Sequence, residues 1–496
     1  MATQHPDNAG APPWEHDGDG FVSVREEPAE CMWCYRTLGV HEFMWDWEGK
    51  HADEAVIDKF FSHYHSYFKR RRLGKDIFLT FRIPNIWQER GYHLIRALMV
   101  ILTSEDFARD IRFHAPPLFE VILPMTERAD QLIYIQRSFR DLARFKTRTF
   151  TVHEHTNLDY LHIIPLIEGV EQQMHIDSLL TRYLALHKKN FGRAPSYMRP
   201  FLARSDPALV SGLVATVLAN KIALGKINDF SRTTKIPMHP IIGVGSLIFR
   251  GGLSPKRVRA FLQEYRGIRT VTMQSSFRYD YPQSKVRKAI SVLAHELPRN
   301  KSPLIAPREY IQLEKIVAKF ARTYRTTLEQ LVPFMQPFFN AVPPRRERRQ
   351  HIGFLAYTRS MGRISLPRAI NFTAAFYSIG IPPEFIGTGR VWHALNAPER
   401  ALVQKYYINM RADLIEAGHY LNRHNLTRLA ARNAAWKTVL EDVQCLERMF
   451  GITFGPKSSQ EQLHMNCTSN VVLLSRSSQK LSALIAETGL LRMSLG

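Results

Sequence analysis

The chain has 496 residues, 45% of them hydrophobic, and carries 67 lysines and arginines against 45 acidic residues, a formal charge of +22. So much apolar material builds a large core, which excludes a disordered or low-complexity protein. Four cysteines in a chain of this length exclude a disulfide scaffold, and no apolar run approaches the roughly 20 residues of a membrane span.

Residues 1–60 are rich in Pro, Gly, Asp and Trp and show little regular period, but tryptophans are scarce in disordered tails, so this segment is expected to pack on the rest of the fold. Residues 1–10 are polar and lack the apolar stretch of a secretory leader, which points to a cytoplasmic protein. From 61 to 305, short apolar segments alternate with helix-length amphipathic ones. Strands are expected at 75–83 (KDIFLTFRI), 118–125 (LFEVILPM), 161–167 (LHIIPLI), 200–203, 240–249 (PIIGVGSLIF) and 270–277 (TVTMQSSF). Helices are expected at 92–103, 129–145, 171–188, 208–227 and 255–265. Such alternation predicts βα units around a parallel sheet, and six units on one chain predict an α/β fold with a (β/α) TIM-type barrel. From 306 to 496 the pattern is mainly helical, as at 310–324, 400–420, 426–449 and 481–491, and reads as extra helices completing the same domain.

Chemistry in a (β/α) barrel gathers at the C-terminal ends of the strands. Arg82 ends the first predicted strand, Glu168 follows the third, Asp206 follows the fourth, Arg250 the fifth and Arg278 the sixth. Two carboxylates suit magnesium or manganese, and several arginines suit a phosphate and a carboxylate. The segment 243–252 (GVGSLIFRGG) adds Gly243 and Gly245, whose bare backbone lets an anion approach closely. Each residue alone has a plainer explanation, Asp206 as a helix cap and each arginine as a surface ion pair. Cys31 and Cys34 with His41 leave a zinc half-site open, and His153 with His155 a second possible pair, although neither shows a complete ligand set. The basic runs at 69–72 and 345–349 read as solvated faces; no helix-turn-helix, zinc finger or base-stacking pattern accompanies them, so no specific nucleic-acid partner is expected.

Ordered motifs run through most of the chain: TQHPDN at 3–8, EFMWDWEGK at 42–50, GKDIFLTFRIPN at 74–85, EVILPMT at 120–126, ARSDPAL at 203–209, GVGSLIFRGGLSP at 243–255 and QSSFRYDY at 274–281. Together they resemble the archaeal-type phosphoenolpyruvate carboxylases. The resemblance implies a (β/α) barrel with many added helices, a divalent metal (Mg2+ or Mn2+), phosphoenolpyruvate and bicarbonate as substrates, and a homotetramer. It implies that His5 matches the histidine that handles carboxyphosphate, and that Glu168 and Asp206 match the metal glutamate and aspartate. It further implies that Arg250 and Arg368 match active-site arginines. The separation of Glu168 and Asp206 is close to that family's spacing, which favours Glu168 over Glu120. The longer bacterial and plant forms carry a histidine and an arginine at the start of the glycine-rich loop, where this chain has Ile242 and Val244. Arg82, Arg204 and Arg278 are therefore candidates to hold the phosphate. Two alternatives stay open at this point: another metal-dependent phosphoenolpyruvate or pyruvate barrel, and a basic nucleic-acid-binding protein.

Overall fold

The computed structural model describes residues 1–4, 7–11, 21–49, 52–88, 91–150, 158–302, 304–346, 359–361, 364–474 and 478–496. His5, His153 and His155 lie outside the described residues.

Eight short strands form one sheet in chain order: β1 (Ala2–Thr3), β2 (Glu42–Asp46), β3 (Phe78–Arg82), β4 (Glu120–Leu123), β5 (His162–Ile167), β6 (Phe201–Ala203), β7 (Ile241–Gly243) and β8 (Thr270–Val271). All seven neighbouring pairs are parallel. Parallel neighbours need long crossovers, and helices such as Tyr92–Asp110, Ala129–Phe150, Ile176–Phe191 and Leu213–Thr234 provide them. The sheet also meets itself. The Met1 amino group donates to Val271 O at 2.9 Å, Met273 N donates to Met1 O at 2.8 Å, and Ala2 bridges Met273 in parallel. This α/β arrangement of eight parallel strands and many helices is consistent with a TIM-type barrel.

Strand alternation divides the apolar residues between two cores. Met44, Ile122, Ile164, Leu166, Phe201 and Ile241 share one small inner cluster. Their strand neighbours Val121, Leu123, Ile163, Ile167, Leu202 and Ile242 join the larger cluster with the surrounding helices. A third cluster runs from Val170 to Leu495 and binds the helical half to the helix Leu213–Thr234. At the N-terminal ends of the strands, the Arg199 guanidinium donates to the Glu42 and Glu120 carboxylates and to Thr270 Oγ1. Glu42, Glu120 and Thr270 are the first residues of β2, β4 and β8, so this buried network closes one end of the sheet.

Several elements differ from the sequence reading. The 1–60 segment does more than pack on the barrel, since it supplies β1 and β2. The apolar runs at 240–249 and 270–277 are strand for only three and two residues; the remainder forms loops, the 3-10 turn Ile248–Arg250 and the helix Ser275–Tyr279. A short apolar run has no period that separates a strand from a buried loop. The helix expected at 208–227 is two, Ser205–Ser211 and Leu213–Thr234, broken at Gly212. There φ is +82° and a Cβ would lie 2.8 Å from the Tyr324 ring, so both the backbone and the packing require glycine. Among the described residues, no helix is long and apolar enough to cross a membrane.

Candidate active site

A cavity opens at the C-terminal ends of the strands, opposite the Arg199 network. Glu168 follows β5, Asp206 follows β6, Gly243 ends β7 and Arg82 ends β3; all four line the cavity. Arg204, Arg250 and Arg368 line it as well. Six of the charged residues singled out from the sequence thus share one mouth. Glu120 sits at the other end of β4 on Arg199 and Tyr197.

Arg250 is completely buried, and its guanidinium is held by three hydrogen bonds. Nε donates to Ser205 Oγ at 3.2 Å, Nη2 to Gln274 Oε1 at 2.7 Å and Nη1 to the Gly496 backbone oxygen at 2.6 Å. Burial lowers its pKa to about 10, with the Asp206 charge acting in the opposite sense. It therefore stays a cation at neutral pH, and a buried cation attracts an anion strongly. A Cβ on Gly245 would come within 3.1 Å of the Arg250 side chain and of Gln274 Oε1, so glycine there makes room for the guanidinium. Gly245 does not line the cavity itself; its N–H donates to Arg250 O at 2.8 Å.

Arg82 is differently engaged. Nε and Nη2 donate to the two Asp46 carboxylate oxygens at 2.8 and 3.0 Å, and Nη1 lies 2.7 Å from Glu48 Oε2. Burial would lower its pKa; Asp46 and Glu48 reverse this and raise it. Arg204 spends its guanidinium on Tyr265 Oη, Phe249 O and Ile248 O, at 2.9, 3.0 and 3.5 Å. Arg368 precedes the helix Ala369–Ser378, whose first residues Ala369 and Ile370 also line the cavity.

Arg278 does not line the cavity. It lies in the helix Ser275–Tyr279, fully buried, where Nη1 meets Glu30 at 3.2 Å and Cys34 Sγ at 3.1 Å and Nη2 donates to Thr3 O at 2.7 Å. It holds the N-terminal strand instead. Burial pushes the Cys34 thiol up to about 11 and raises Cys31 well above the usual range, so both are inert thiols. Among the described residues, no group of three or more His, Cys, Asp or Glu is placed to hold a metal.

The described residues on either side of His5 lie at this mouth. Thr3 lines the cavity, Gln4 Oε1 accepts from Asp46 N at 2.8 Å, and Asn8 bonds Gln274 Oε1 and Ser276 N at 3.1 and 3.0 Å. Sequence reasoning passed over Glu48, Thr272 and Gln274, which line the cavity, and Asp46, which holds Arg82 there. Each lies in or beside a motif quoted above, but nothing in the spacing marks which members face a cavity.

The sequence profile of the phosphoenolpyruvate carboxylase family matches residues 1–496. The chain belongs to the archaeal-type phosphoenolpyruvate carboxylase family. A phosphoenolpyruvate carboxylase of Leuconostoc mesenteroides is 46% identical over 95% of this chain and 93% of its own length. That of Oenococcus oeni is 44% identical, covering 100% of this chain and 98% of its own. The archaeal enzyme of Metallosphaera sedula is 34% identical over 100% and 99%. This phosphoenolpyruvate carboxylase family member gathers four arginines and the carboxylates of Glu168 and Asp206 around one mouth.

Proposed function

We propose that the protein converts phosphoenolpyruvate and bicarbonate to oxaloacetate and phosphate. The single observation carrying this reading is the cavity that gathers Glu168, Asp206, Arg250 and Arg368 at the strand ends of a chain that the family profile matches over residues 1–496. The eight strands are taken as a closed (β/α) barrel, with residues 1–60, 61–305 and 306–496 as parts of one domain.

Glu168 and Asp206 are hard oxygen donors just beyond the ends of adjacent strands, and one or two carboxylates completed by substrate oxygens and water are the usual set for Mg2+ or Mn2+. When bound there, such a cation supplies Lewis-acid stabilisation of the negative charge developing on the enolate oxygen. Arg250 and Arg368 neutralise the phosphoryl group, where positioning and electrostatics carry most of the catalysis. A bicarbonate oxygen attacks phosphorus, the bond from phosphorus to the enol oxygen breaks, and carboxyphosphate and pyruvate enolate result. Carboxyphosphate releases carbon dioxide and phosphate, with His5 assigned to the proton in that step. The enolate carbon then bonds to carbon dioxide. Arg82, pinned by Asp46 and Glu48, shapes the wall rather than offering a whole fork to the substrate. Cytoplasmic location and a homotetramer complete the proposal.

The test is a coupled assay for oxaloacetate from phosphoenolpyruvate, bicarbonate and Mg2+. Metal- and bicarbonate-dependent oxaloacetate is expected. Its absence with both Mg2+ and Mn2+, in a folded protein, would overturn the reading.

A further inference from the structure

We propose that Glu384 is a positioning residue for the arginine turn: from the helical half it grips the Phe249 backbone opposite Arg204, and so fixes where Arg250 meets the phosphoryl group. The inference deepens the carboxylase reading and rests on it.

Glu384 is 0% exposed and lies in the short turn Pro383–Phe385, far along the chain from the barrel. Its Oε1 accepts from Phe249 N at 2.8 Å and from Tyr377 Oη at 2.6 Å. Thr388 Oγ1 donates to its backbone oxygen at 2.7 Å, which fixes the turn from which the side chain projects. On the other side, Arg204 donates to Phe249 O and Ile248 O. The 3-10 turn Ile248–Arg250 is thereby held by an acceptor and a donor on successive backbone groups, one residue before the guanidinium that faces the cavity.

A buried carboxylate is costly unless it is used. Among the described residues Glu384 forms no ion pair within 4.0 Å, and what it does hold is a backbone N–H. That is the pattern of a group retained for geometry rather than for charge. The same connection links two parts of the site. The helix Ala369–Ser378 begins beside Arg368 at the cavity and ends near Tyr377, which donates to Glu384. The positions of Arg368 and Arg250 are therefore set by one rigid unit, and a small misplacement of a binding group is expensive in catalysis.

The experiment compares Glu384→Ala and Glu384→Gln with the parent enzyme in steady-state oxaloacetate formation, with circular dichroism as the fold check. Glutamine keeps an acceptor oxygen at the same reach, and alanine removes it. Glu384→Ala is expected to raise KM for phosphoenolpyruvate roughly tenfold with a smaller change in kcat, the scale of one lost positioning hydrogen bond. Glu384→Gln is expected to restore KM to within about twofold. A merely structural role would lower the folded, active fraction and leave KM untouched, so an unchanged KM in Glu384→Ala overturns the proposal. Should that variant fail to fold, Glu384→Asp replaces it under the same criterion, because it keeps the charge and withdraws the oxygen by one methylene. If the parent enzyme makes no oxaloacetate, the carboxylase reading fails instead, and the two failures are distinct.

Discussion

At the scale of single residues, the site is read from which end of a strand a side chain occupies. Glu120 and Glu168 both stand beside apolar strands, but Glu120 opens β4 and is used by Arg199 and Tyr197, whereas Glu168 follows β5 and faces the cavity. Glu168→Gln and Asp206→Asn are therefore each expected to raise the Mg2+ or Mn2+ concentration for half-activation by about tenfold or more, since an amide is a poorer ligand for a hard cation than a carboxylate. Glu120→Gln should change that concentration little. Metal titration of the three variants checks this, and parent-like activation in both Glu168→Gln and Asp206→Asn would refute the assignment. The arginines were harder to rank. The sequence shows Arg82, Arg204, Arg250 and Arg278 alike at strand ends, and only packing reveals that Arg82 is paired with acids, Arg204 braces a turn and Arg278 points away from the cavity. Arg250 is held at the cavity by Ser205, Gln274 and Gly496, three residues remote from it in sequence.

At the scale of elements, the N-terminal segment is clamped by a buried ionic network. Glu30, on the helix Glu27–Trp33, accepts from both Arg346 Nη atoms at 2.9 Å, from Arg278 at 3.2 Å and from Tyr279. Burial would raise the Glu30 pKa; Arg346 and Arg278 instead bring it down to about 2. Arg278 passes the hold to Thr3 O, Arg345 donates to Ala9 O and Gly10 O, and Asp280 accepts from Gly10 N and Ala11 N at 2.7 and 2.6 Å. The run 345–349 was read from sequence as a wet face, but Arg346 is 3% exposed and paired. Composition cannot show a pairing between residues so distant in the chain. Glu30→Gln leaves the buried Arg278 without its carboxylate and Arg346 with Glu27 and Asp7 at 3.7 and 4.0 Å, and an uncompensated buried charge typically costs about 3–5 kcal/mol. Beyond a lower Tm, it is expected to loosen the segment that carries His5 and to shift products from oxaloacetate toward pyruvate. Phosphate, pyruvate and oxaloacetate measured together test this. A lower Tm with an unchanged product ratio would show that the clamp serves stability alone.

At the scale of the whole molecule, the parallel sheet with its helices and the helical half share a core and a site. The cluster from Val170 to Leu495 spans both, Leu495 N donates to Asn8 O at 2.8 Å, and the Gly496 oxygen meets Arg250. The alternation of segments made the parallel sheet and its crossover helices legible, and the 3.6-residue period made the added helices legible. Their mutual dependence was not, because period records one buried face and not what covers it. If the halves form one cooperative unit, calorimetry should show a single unfolding transition, and two resolved transitions would separate them. Glu384 gives that unit a pH dependence. Burial raises its pKa from 4.5 to about 7, so the folded state binds this proton more tightly than the unfolded chain. The stability it contributes is fully present below pH 4.5 and lost as pH rises through 7, an upper limit of about 3 kcal/mol for that shift. The expected result is a Tm that falls between pH 5 and pH 8 in the parent enzyme and falls less in Glu384→Gln, which cannot titrate. Parallel Tm profiles for the two proteins across that window would mean that Glu384 does not titrate there.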